Sequence, residues 1–295
     1  MVITGLLLVA PFAQAKLQVF ACEPEWAALA KALGGDEVSV FSATTAMQDP
    51  HRIQARPSLI ARMRRADLVI CNGAGLEAGW LPVLLRRAAN PAAQAGTAGY
   101  FEAADYVSLI DIPHNVDRAE GDVHPQGDPH FHTDPRNITN VAVALTKRLQ
   151  QLEPDKAGRY KRQAGHFMQQ WRQAIHRWQQ QAKPLRGVAI VTQHKSWSYL
   201  INWLGLKEVA RLEAKPGVPP STVYLEQLLL RLKQQPASMI LRTAYQQGRP
   251  SAWLAERSGL PVVVLPYTVG GNEAATDLFA LFDETIRLLL LAVQS

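Results

Sequence analysis

Beyond Pro154 the chain meets no proline until Pro184, and Tyr160, Ala164, Phe167, Trp171, Ile175 and Trp178 recur at three- and four-residue steps. That spacing puts all six on one face and predicts a single helix to about Ala182, roughly 40 Å long at 1.5 Å per residue. Gly158 and Gly165 are its weak points. The aromatic stripe reads as packing, not as a cofactor box. A rod of this length is enough to run along two domains, so each flank is expected to supply a packed body.

The N-terminal flank alternates strand and helix. Strands are expected at Leu17–Ala21, Val38–Phe41, Asp67–Cys71 and Val107–Ile110. Helices are expected from Pro24 to Gly34-Gly35, from Pro57 to Arg65, from Leu76 to Ala88 and from Arg136 to Leu152. The C-terminal flank repeats the rhythm, with strands at Gly187–Thr192, Val209–Glu213, Ser238–Arg242 and Val262–Leu265. Its helices are Ser196–Leu204, Thr222–Gln234, Pro250–Ser258 and Glu273–Val293. Strand–helix alternation argues for parallel sheets covered on both faces. The expected fold is therefore α/β, with two similar parallel-sheet domains joined by one long backbone helix. The expected boundaries are 16–153, 154–183 and 184–295, after a leader at 1–15.

The leader rests on Val2–Phe12, an apolar run too short to span a bilayer, followed by the small-x-small site Ala13-Gln14-Ala15. It lacks the usual Lys or Arg before the apolar run, yet it predicts export, with a mature chain starting near Lys16. Val19-Phe20-Ala21-Cys22 is not a lipidation box, because Lys16 and Gln18 interrupt the apolar run before it. Cys22 and Cys71 each end an apolar strand. A disulfide and two separate buried thiols both fit them. The net charge of +6 comes from scattered residues with no aromatic-interleaved patch, so nucleic acid is not an expected partner. Nor does a glycine-rich phosphate loop appear.

The chemistry lies in the histidines. The polar loop Asp122–Pro135 carries His124, His130 and His132, and its Asp128-Pro129-His130 repeats Asp49-Pro50-His51. His194 follows directly on the strand ending at Thr192. Imidazole nitrogen suits zinc, and loops at the carboxyl ends of parallel strands face the crevice where such sheets bind ligands. His51, His130 and His194 are the expected metal ligands, with Asp49 and Asp128 placed to orient an imidazole. His124 and His132 are left open between a mobile metal-scavenging loop, a fourth ligand and plain surface. His114 has no supporting context, and His166 and His176 on the long helix read as solvated or core residues. Ligation needs neutral imidazoles, so affinity is expected to weaken as pH falls through about 6.5.

DPHRIQARPS (49–58), ADLVICNGAGLE (66–77), GDPHFHTDPRN (127–137) and HKSWSYL (194–200) resemble the periplasmic metal-binding subunits of zinc and manganese ABC transporters. The resemblance covers essentially the whole mature chain. It implies that the first histidine of each of three segments ligates the metal, which selects His51, His130 and His194. It implies a site between two α/β domains, and a histidine at the third position is the zinc pattern there. One departure is plain: many relatives supply a fourth ligand, an Asp, after the last strand, whereas this chain reads Leu265-Pro266-Tyr267-Thr268-Val269-Gly270-Gly271, which leaves water, Glu23, His124 or His132 for that position.

The function expected from sequence is capture of zinc (manganese less so) and delivery to a membrane permease, by a periplasmic monomer that is not an enzyme. A three-histidine zinc hydrolase is the alternative. Against it stand the absence of HExxH and of a glutamate beside a ligand. A structural or adhesive α/β protein would show repeats or a surface signature, and none is present.

Overall fold

The computed structural model describes residues 15–113 and 121–294. The expected leader up to residue 14, and His114, lie outside the described residues. Leu17–Ala21 (β1), Val38–Ser42 (β2), Leu68–Cys71 (β3) and Tyr100–Glu102 (β4) form one sheet in the order β2-β1-β3-β4. Ala189–Thr192 (β5), Lys207–Arg211 (β6), Met239–Thr243 (β7) and Val262–Leu265 (β8) form a second in the order β6-β5-β7-β8. All pairings are parallel and the two orders are the same. In each, the connections diverge from the first strand, which opens a crevice at the carboxyl ends of β1/β3 and of β5/β7.

The first sheet is flanked by Pro24–Gly34 (α1), Pro57–Arg64 (α2), Leu81–Ala88 (α3) and Pro135–Leu152 (α4). Ala157–Gln181 (α5) is the long connecting helix. Ser198–Leu204 (α6), Thr222–Gln234 (α7), Arg249–Ser258 (α8) and Leu278–Gln294 (α9) complete the second half. Prolines open α1, α2, α3 and α4, where a missing N–H costs nothing and φ is already helical.

The buried stripe of α5, Tyr160, Ala164, Phe167, Trp171, Ala174 and Trp178, joins the inner faces of both sheets in one apolar core. Trp171 meets Phe279 edge-on with centroids 4.9 Å apart, and Trp178 lies 5.1 Å from Phe282. The opposite face of each sheet has its own core, built on Phe20, Val69 and Leu84 in the first half and on Val191, Ile240 and Leu254 in the second. Two-sided burial explains why the strands read as apolar runs. Cys22 and Cys71 are joined by a disulfide between the adjacent strands β1 and β3, with Cα atoms 4.8 Å apart, so the bonded reading holds.

Three expectations need correction. Val107–Ile110 is not a strand: the fourth strand is Tyr100–Glu102. The Ile110 N–H donates to Tyr199 Oη and its carbonyl accepts from Asp128 N–H, so this extended segment is tied to the other half and to the histidine loop. The helix expected from Leu76 begins only at Leu81, where Pro82 sets its first turn, after a run of turns from Ala74 to Trp80. The last helix begins at Leu278 instead of Glu273, because Asn272 Oδ1 accepts from the N–H groups of Ala274 and Ala275 and holds that stretch in a turn.

Candidate metal centre

The two Asp-Pro-His tripeptides fold into the same small device. Asp49 Oδ1 accepts both the His51 N–H at 3.0 Å and the His51 Nδ1–H at 2.7 Å. Asp128 Oδ1 does the same for His130, at 2.9 and 2.6 Å. The proline between them fixes φ, and each prolyl carbonyl is anchored from the body of the domain. Trp80 Nε1–H donates to Pro50 O at 2.8 Å, and Asn72 Nδ2–H donates to Pro129 O at 2.9 Å. One carboxylate thus sets tautomer and ring plane together, leaving Nε2 bare and aimed outward.

His194 reaches the same state by another route. It follows β5, and its Nδ1–H donates to Glu213 Oε2 at 2.7 Å. Glu213 follows β6, and Thr192 pairs with Arg211, so the two residues two places further on emerge side by side. Glu213 Oε2 also accepts from Gly217 N–H at 2.8 Å.

The structure brings His51, His130 and His194 together. Their ligand atoms all lie within 4.8 Å of one another, and the ring centroids are 5.7 to 6.1 Å apart. Three atoms so placed share a point no more than about 2.8 Å from each, so shifts below about 1 Å would give zinc–nitrogen bonds of about 2.0–2.1 Å. His130 Nε2 is buried and has no hydrogen-bond partner among the described residues. An orphaned acceptor of that kind costs about 1–3 kcal/mol unless something occupies it. Three bare imidazole nitrogens facing one point, each backed by a carboxylate, fit a divalent cation.

Burial pushes the His130 imidazole down to about 4, outweighing Asp128, which acts the other way. His124 is pushed down to about 3, by burial first and then by the neighbouring imidazoles of His130 and His51. Burial works against ionising Asp128, but the charge of His130 and the hydrogen bonds it donates hold that carboxyl well below the usual range. Asp49 is lowered as well: there too burial opposes, and bonding from His51 prevails. Burial thus keeps the His130 imidazole neutral, and open to metal, to a lower pH than the 6.5 expected from free histidine.

The other candidates separate cleanly. His124 flanks the cluster without belonging to the close group of three, with its Nε2 3.2 Å from His51 Nε2. His132 does not: its Nε2–H donates to the Tyr267 carbonyl at 3.0 Å, and its Nδ1 lies 3.5 Å from Glu25 Oε1. Glu23 is buried at the end of β1 against Glu77. Desolvation drives both carboxyls upward, Glu77 to about 7 and Glu23 well above its ordinary value. His166 and His176 are exposed on α5.

The profile of the family described as ZnuA, zinc-uptake complex component A periplasmic, matches residues 19–290. The chain belongs to this family. Among relatives of the ZnuA family, the manganese ABC transporter substrate-binding lipoprotein PsaA of Streptococcus pneumoniae is 23% identical over 263 residues, covering 86% of this chain and 80% of that protein. The metal ABC transporter substrate-binding lipoprotein SloC of Streptococcus mutans is 22% identical over 265 residues, covering 87% and 82%. A crystal structure of ZnuA superposes with a TM-score of 0.73 at 22% identity, covering 95% of this chain and 98% of that one. The laminin-binding adhesin Lmb of Streptococcus agalactiae gives 0.73 at 23% identity, covering 92% and 99%. The chain is thus the substrate-binding component of a metal ABC transporter, outside the cytoplasm, with a membrane permease as partner. ZnuA-family proteins bind and deliver and are not enzymes, so the hydrolase alternative falls away.

Glu213, Trp80 and Asn72 were missed from sequence. Parallel register between neighbouring strands was the available signal for Glu213. No local signal marks Trp80 or Asn72, which act over 30 and 57 residues of separation.

Proposed function

We propose that this protein captures zinc in the periplasm on His51, His130 and His194 and hands it to the permease of its transporter. The observation that carries this reading is the convergence of one ring nitrogen from each of His51, His130 and His194, whose Nδ1–H groups are each committed to a carboxylate and so leave Nε2 for the ion. Asp49, Asp128 and Glu213 face the far side of the rings, so the donors offered to the ion are nitrogen. That set suits borderline-soft zinc in tetrahedral geometry. Manganese, a harder ion, favours oxygen donors and six-coordination. Carboxylates one layer out offset the ion's charge without giving it an oxygen ligand.

The division proposed for this work is 16–153 and 184–295 as the two metal-gripping lobes and 154–183 as their common spine. Each half contributes at least one ligand, so binding would hold the lobes in register. The test is competition between zinc and manganese for the purified protein against a chromophoric chelator, with elemental analysis. One zinc per chain, retained against excess manganese and lost in His51→Ala, His130→Ala and His194→Ala, is expected. Preferential retention of manganese, or undiminished zinc binding in those variants, would overturn the assignment.

A further inference from the structure

We infer that His124 is the fourth ligand, and that through it the captured ion pins the segment 121–128 across the mouth of the cleft. This rests on the three-histidine reading above and adds a residue that reading does not need. His51 has given its Nδ1–H to Asp49, so its Nε2 carries a lone pair, and His124 Nε2 stands only 3.2 Å from it. Without metal, that contact requires a proton on His124 Nε2. With metal, both nitrogens are bare and the ion lies between them. Two nitrogens bound to one tetrahedral zinc at about 2.0–2.1 Å are separated by about 3.3 Å. The spacing is already that of a tetrahedron's edge. The His124 ring also stands 6.1 Å from His130, edge to face, so it lies beside two of the three ligands, and a shift of its ring toward His194 would complete the set.

His124 differs from the other three in one respect. No carboxylate accepts from its Nδ1 among the described residues, so no hydrogen bond to an anion fixes its tautomer. It is the ligand built to leave first. Its segment is held on both halves of the molecule. Asp122 N–H donates to Pro216 O at 2.9 Å, and Asp122 faces Arg52 at 3.6 Å. Asp128 O accepts from Tyr199 Oη–H at 2.9 Å. Fit is close at the crossing, where a Cβ on Gly121 would stand 2.1 Å from Pro216 O. Pro216 and Gly217 follow Glu213, which orients His194, so ligand and fastening meet on one stretch of the second half. A fourth imidazole makes the donor set all nitrogen, which sharpens discrimination against oxygen-seeking manganese.

The experiment compares wild type, His124→Ala, His124→Gln and His51→Ala. Zinc K-edge absorption spectroscopy counts imidazoles, chelator competition gives affinity, and hydrogen exchange follows residues 121–128 with and without zinc. Four imidazoles in wild type and three plus a light-atom donor in both His124 variants are expected. Loss of a partner one layer out costs about 10- to 100-fold, so loss of this ligand should weaken zinc at least about tenfold. Zinc-induced protection of 121–128 should vanish in the His124 variants. Three imidazoles in wild type, or unchanged affinity and protection in both His124 variants while His51→Ala loses zinc, would overturn the inference and leave the three-histidine site standing. Unchanged binding in His51→Ala as well would sink both.

Discussion

Asp128→Asn isolates what the carboxylate behind a ligand contributes. Asp128 Oδ1 lies 2.6 Å from His130 Nδ1, and the side chain is 1% exposed. Across the ring to a metal on Nε2, carboxylate and ion would be about 6 Å apart. A unit charge and a divalent ion at that distance attract by about 5 kcal/mol at an effective dielectric near 20. That is a ceiling, because the amide oxygen still accepts from Nδ1–H and keeps the ring in place. Losses from such outer partners usually run about 10- to 100-fold, or about 1.4–2.8 kcal/mol. The depth of Asp128 puts it at the upper end, near 100-fold. Asp49 makes the same bonds but its side chain is 36% exposed, so solvent screens it and Asp49→Asn should cost nearer tenfold. Competition titration against a zinc chelator at neutral pH measures both. An Asp128→Asn protein within twofold of wild type, or weaker loss there than at Asp49, would refute the idea that buried carboxylates strengthen these ligands.

Three further outcomes follow from the fold. Glu77 is raised from 4.5 to about 7 and Glu23 is raised well above its ordinary value, both by burial, so the folded state favours their protonated forms. The stability this gives is present below the unfolded value near 4.5 and is lost as pH rises through about 7. Glu23→Gln should therefore raise the melting temperature of the metal-free protein more at pH 8 than at pH 5, and an equal shift at both would contradict the pairing. Replacing Cys22 and Cys71 by serine opens a loop with a sequence separation of 49. It should cost about 4 kcal/mol by the chain-entropy relation, read as a lower urea midpoint; an unchanged midpoint would count against it. Trp178→Ala empties the aromatic contact between α5 and α9 and should cost about 3–5 kcal/mol, with no change in zinc stoichiometry once folded; a small loss would mean that the spine is not the shared core.

The parts of this molecule legible in the sequence are those governed by local physics. The stripe on α5 follows from helical period, and the strands of both sheets follow from two-sided burial. The repeated Asp-Pro-His is a local turn in which the aspartate accepts from the backbone and ring of the histidine two residues on. The rest depends on contacts between distant segments. Val107–Ile110 has a strand's composition, yet its hydrogen bonds go to Tyr199 and Asp128, so no ladder forms. His124 and His132 sit in one loop with similar neighbours, and only the fold sends one to His51 and the other to Tyr267. The pairing of Glu23 with Glu77 comes from the adjacency of β1 and β3 at the crevice, which no spacing along the chain reveals.

Diffraction from crystals of the zinc-loaded protein, recorded on both sides of the zinc absorption edge, addresses the core of this account most directly. A single anomalous peak at about 2.0–2.1 Å from Nε2 of His51, His130 and His194 is the predicted result. A peak on other residues, with these three nitrogens bonded to nothing but water, would contradict it.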